Sequence, residues 1–131
     1  MCIQHVITHP SKPAKADLMF NLSSAHRYFL YHQATDMRKG FDSLAGLVRS
    51  QMQEDPCSGS VYVFMNKDRN LIKLLHWEYG GFTLYYKRLE KGVFERPSCQ
   101  ANTQITWSEL MLIIQGIKLN TIVKKVRYNP A

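Results

Sequence analysis

The sequence predicts an α+β fold. Its parts are an antiparallel sheet of about four to six strands, arranged as a meander and packed by one main helix, and a second short C-terminal helix. Three observations lead there. Met37, Phe41, Leu44, Val48 and Met52 recur every three or four residues, which puts them on one stripe of a helix. Three β-prone runs between 61 and 88 are separated by short turn signals. Thr106-Trp107-Ser108-Glu109 has the spacing of a capping box and precedes an apolar run.

The elements follow in chain order. Residues 1–17, with Pro10 and Pro13, read as a flexible N-terminal tail. Leu18–Leu22 and Arg27–His32 are short extended segments, and Ser23–His26 is a turn that would join them as a hairpin. The main helix is expected from about 37 to 53, started by Thr35 or Asp36, with Gly40 as the alternative start, and ended by Asp55-Pro56. Met37, Phe41, Leu44 and Val48 should face the sheet.

Val61–Asn66 is a strand, Lys67–Asn70 a polar hairpin loop and Leu71–Trp77 the return strand. Tyr79-Gly80-Gly81 turns into a third strand, Phe82–Arg88. Val93–Glu95 is expected as a short edge strand closed by Pro97, and Ser98–Gln104 as a polar loop. The second helix should run from 107 to 116, with Leu110, Ile113, Ile114 and Ile117 as its apolar stripe and Gly116 as its stop. One domain therefore spans 18–117, followed by a basic C-terminal tail, 118–131.

Composition narrows the function. The chain has 131 residues, 45% of them apolar, enough for one core. No run approaches the roughly 18–20 apolar residues of a membrane span, and the N-terminus is too polar for a signal peptide. A cytoplasmic protein with no membrane contact is expected. The net charge of +7 favours an anionic partner such as nucleic acid. Cys2, Cys57 and Cys99 suit neither a disulfide framework nor a CxxC metal site.

Catalytic readings have little support. Asp68, Glu78 and Lys87 could be assembled into a metal-dependent nuclease trio, but solvated turn acids account for them more simply. His26, His32 and His76 lack metal-ligand spacing, and neither Cys57 nor Cys99 has a nucleophile signature beside His76. There is no GxGxxG, P-loop or HExxH. No cofactor, metal or catalytic residue is assigned.

The bases of the meander are more informative. Lys67, Arg69, Lys73, Lys87, Arg88, Lys91 and Arg96 are interleaved with seven aromatic residues, from Tyr62 to Tyr86. Lys73 and Lys87 lie in adjacent strands and could share one sheet face as a grip for phosphates, with aromatics free to stack on bases. Core packing is the competing use of those aromatics. Arg38 and Lys39, at the start of a helix, sit where the dipole disfavours cations, which points to an anion or to pairing with Asp36 or Asp42. Lys118, Lys124, Lys125 and Arg127 form a C-terminal group without an acid.

Five stretches together resemble one family. They are Thr35–Leu44 (TDMRKGFDSL), Val61–Arg69 (VYVFMNKDR), Ile72–Trp77 (IKLLHW), Gly81–Gly92 (GFTLYYKRLEKG) and Ile105–Leu110 (ITWSEL). The chain is similar over about residues 18–128 to TnpB, the small accessory protein of the insertion-sequence family numbered sixty-six, which is distinct from the RNA-guided nuclease of that name. The resemblance implies a non-enzymatic bacterial accessory protein of transposition. Its partners would be a larger transposase that carries the catalytic acids and a second accessory protein, and the basic charge adds insertion-sequence end DNA as the expected anionic partner.

The family supplies no agreed contact residues, so the site assignment rests on charge. The expected DNA contacts are Arg38, Lys39, Arg69, Lys73, Lys87, Arg88, Lys124, Lys125 and Arg127. The alternative is a protein-interaction module that docks the transposase without touching DNA.

Overall fold

The computed structural model describes residues 22–95 and 101–115. Five strands form one mixed sheet: β1 (Tyr28–Leu30), β2 (Val61–Met65), β3 (Leu71–Glu78), β4 (Gly81–Arg88) and β5 (Thr103–Ile105). Helix α1 (Phe41–Ser50) lies between β1 and β2 in the chain, and helix α2 (Trp107–Ile114) follows β5. The strand order is β4-β3-β2-β1-β5.

The α+β class and the β2-β3-β4 meander agree with the sequence reading. In the meander Phe64 lies opposite Lys73, and Lys73 opposite Tyr86. The Asn66–Asn70 turn is held by the Asn66 side chain, whose Oδ1 accepts from the N–H groups of Asn70 and Leu71. At the next turn Tyr79 and Gly80 both have positive φ, +52° and +79°. A two-residue hairpin needs that backbone twist, and Gly80 meets it without a Cβ penalty.

Four expectations are corrected. The first is the N-terminal hairpin, whose first arm lies almost wholly outside the described residues. β1 pairs instead with β2, in parallel, Tyr28 opposite Val61. The helix between them explains this, because a β-α-β connection returns the chain in the same direction. The second is the polar loop 98–104: Thr103–Ile105 pairs antiparallel with β1, and Ile105 is buried.

The third is Val93–Glu95, which is not a strand. Phe94 is fully buried, and its N–H donates to the Arg69 carbonyl. The fourth is the length of α1. The Asp36 carboxylate accepts from the Arg38 N–H in a separate turn, so the helix begins only after Gly40. It ends before Gln53, whose φ of +56° turns the chain away. The sheet carries a helix on each face, α1 on one and α2 on the other.

That layering divides the core. Leu44 and Val48 of α1 pack with Tyr62, Phe64, Leu75 and Leu84, joined by half-buried Met37 and Phe41. On the opposite face Leu110, Ile113 and Ile114 of α2 pack with Val61, Val63, Met65, Ile72 and Leu74. β2 is buried at every position because it is central and covered on both sides. The capping box is formed: the Thr106 hydroxyl accepts from Glu109 N–H, and the Glu109 carboxylate accepts from Thr106 N–H. Gly116, Ile117 and both predicted tails lie outside the described residues.

Candidate nucleic-acid interface

Strand pairing separates the two central lysines. Residues opposite one another across antiparallel strands share a face. Lys73 is opposite Tyr86, whereas Lys87 is opposite Ile72. Lys73 therefore points to the α1 side and Lys87 to the α2 side. The expectation that they share a face is corrected, and with it the picture of one cationic sheet surface.

Lys73 is also not available to a phosphate. It is 5% exposed. Its ammonium donates to the carbonyl of Met37 at 2.7 Å and that of Lys39 at 2.8 Å, and lies 4.7 Å from the centre of the Tyr86 ring. Burial pushes its amine below the usual lysine range. The residue fastens the segment ahead of α1 to the sheet. Lys87, half-buried, donates to the Ile114 carbonyl at 3.1 Å. A cation there satisfies an orphan acceptor at the end of α2 and complements the helix dipole.

Two exposed arginines have local acid partners. Arg38 binds Asp36 through two nitrogens, at 2.6 Å and 3.0 Å, while remaining 91% exposed. The guanidinium holds the Asp36 carboxyl well below the usual carboxylate range. Pairing thus explains the unusual cation ahead of the helix. Arg88 contacts Glu90 at 3.2 Å.

What remains gathers at one end of the sheet. Leu89 N–H donates to Asn70 O, Phe94 N–H to Arg69 O, and Thr35 N–H to Met65 O. These bonds bring the 35–39 segment, the 66–70 turn and the 88–94 segment to the same end. Arg38, Lys39, Lys67, Arg69, Arg88 and Lys91 lie there, with Asp36, Asp68, Glu90 and Glu95 among them. α2 finishes beside Lys87 near this end, and the sequence that carries Lys118, Lys124, Lys125 and Arg127 continues from it. Those four bases lie outside the described residues.

The charge balance is uneven along the chain. Ten lysines and arginines fall within the described residues, against nine acids. Nearly all of the net +7 thus belongs to 1–21, 96–100 and 116–131, and the last of these holds four bases and no acid. Arg27 was not singled out from sequence because it stands alone among apolar and aromatic neighbours. It is exposed, and among the described residues its side chain has no ion-pair partner.

No group of three His, Cys, Asp or Glu among the described residues could hold a metal ion, and no helix among them is long and apolar enough to cross a membrane. Asp68 and Glu78 are at opposite ends of β3, so the nuclease trio is not assembled.

A family model described as IS66 Orf2 like protein matches residues 26–124. Uncharacterized protein y4hO of Sinorhizobium fredii is 34% identical over 84 residues, covering 63% of this chain and 73% of that one. Uncharacterized protein y4jC of the same organism is 28% identical over 108 residues, covering 82% and 92%. No solved structure matches.

Proposed function

Because the chain belongs to the IS66 Orf2-like family of transposition-associated accessory proteins, we propose that it assists a transposase by joining a protein-docking body to a DNA-contacting basic segment. The observation that carries this reading is the charge partition. Residues 18–117, with eleven bases against nine acids, are a poor polyanion grip, whereas 118–131 holds four bases and no acid. Arg69, Arg88, Arg38 and Lys39, at the end of the sheet where α2 finishes, add a secondary contact. Lys73 is removed from the contact set, and Lys87 contributes only by steadying α2. The body performs no chemistry in this role, and the transposase supplies the catalytic acids.

The test is salt-dependent binding of insertion-sequence end DNA by the full chain. Each phosphate neutralised lowers log K by about 0.9 per decade of salt. Replacing Lys118, Lys124, Lys125 and Arg127 with Gln should flatten that slope by up to about 3–4. Capture of the transposase in the presence of nuclease should persist in the same variant. An unchanged slope would return the DNA contact to the body. Loss of capture on nuclease treatment would make DNA the only bridge.

A further inference from the structure

At the opposite end of the sheet from the gathered bases, a cleft of about 710 Å³ opens between the 24–27 segment and the start of α2. Ser24, His26, Arg27, Gln104, Trp107 and Ser108 line it, and no Asp or Glu does. This absence is notable in a body that alternates acids and bases elsewhere. The Glu109 carboxylate is turned onto the Thr106 N–H at 2.8 Å and does not line the cleft.

Arg27 is held at the rim by its carbonyl, which accepts from Val61 N–H at 2.8 Å, while its guanidinium has no partner among the described residues. The His26 Nδ1 is buried and also lacks a partner there. Trp107 is half-buried, with its ring packed against Tyr28 at a centroid distance of 5.6 Å.

We infer that this cleft takes one unpaired nucleotide of a DNA strand. The base would lie against Trp107 and its phosphate on Arg27, with Ser24 and Ser108 supplying hydrogen bonds. The chemistry matches the lining. An unpartnered guanidinium suits a phosphate, and an indole flanked by neutral polar groups suits a planar base of any sequence. The volume lies within the range of small-ligand sites. The capping box engages the N–H groups of Thr106 and Glu109, and the site is defined by the side chains that line the cleft. The choice of DNA as ligand rests on the function proposed above. The cleft would add a grip on unpaired strand, distinct from the duplex contact of the C-terminal bases.

The test uses the full chain with Trp77→Phe, so that Trp107 is the fluorophore. Pentathymidylate should quench Trp107 saturably. Arg27→Gln should weaken binding by about tenfold or more, through loss of a charge-assisted contact. Ser108→Glu should abolish it, because it puts a carboxylate in the cleft. Glu is favoured in the first turn of a helix, and both positions are exposed, so each variant should keep its urea midpoint.

Equal affinity for pentathymidylate across the three proteins would overturn the assignment. No quench with pentathymidylate while duplex binding keeps its salt slope would reject the cleft alone. Absence of both would reject the DNA reading itself.

Discussion

Lys73→Met separates a structural lysine from a DNA-contacting one. Methionine keeps most of the unbranched stem that crosses Tyr86, and it removes the ammonium. Two hydrogen bonds from a charged donor disappear, to Met37 O and Lys39 O. Hydrogen bonds involving a charged group contribute about 1.5–3 kcal/mol each. Part of that is returned, because the variant no longer buries an ammonium that is 5% exposed. Both acceptor residues are half-buried, so water reaches the stranded carbonyls only in part.

The net loss for Lys73→Met is expected at about 2–3 kcal/mol. For a domain of this size that lowers Tm by roughly 10–20 °C. Urea unfolding followed by tryptophan fluorescence measures the loss, and the m-value should not change. DNA binding of the folded variant should keep the wild-type salt slope. Wild-type stability together with a slope reduced by about 0.9 would refute the argument and restore Lys73 as a phosphate contact.

Other perturbations probe separate parts of the fold. Thr106→Ala removes the acceptor for Glu109 N–H and should cost about 1 kcal/mol, read from the urea midpoint. Stability should also fall on acidification below pH ~6.5. Burial lowers the His76 pKa and the neighbouring His26 lowers it further, against the upward pull of Glu78 at 3.5 Å and the Ser60 backbone. The unfolded imidazole therefore binds a proton first, and stability is lost as the pH drops from the unfolded value towards the folded one. His76→Leu should flatten the midpoint between pH 7 and 5, and an unaltered pH slope would assign the effect elsewhere.

Much of the fold was legible in the sequence because its signals are local. The α1 stripe survives as Leu44 and Val48 in the core, and the capping box forms as read from Thr106 and Glu109. The turns at 67–70 and 79–80 are equally local, set by Asn66 and by the positive φ of Tyr79 and Gly80. The strand at 103–105 was not legible, since three residues at the end of a polar loop are too few to show a period-2 pattern, β-branched Thr103 and Ile105 included. They become a strand because β1 has an open edge beside them.

Family membership, the α+β class and the concentration of positive charge outside the body all follow from the order of residues alone. The fate of each base does not. Whether Lys73 and Lys87 share a face depends on cross-strand register, and pairing Lys73 with Tyr86 sends the next residue, Lys87, through to the opposite side. Whether an arginine is free depends on which acid lies beside it in space: Asp36 satisfies Arg38, and none among the described residues reaches Arg27. Charge adds along a chain regardless of conformation, but its availability to a ligand depends on burial and neighbours, and those exist only once distant segments have packed together.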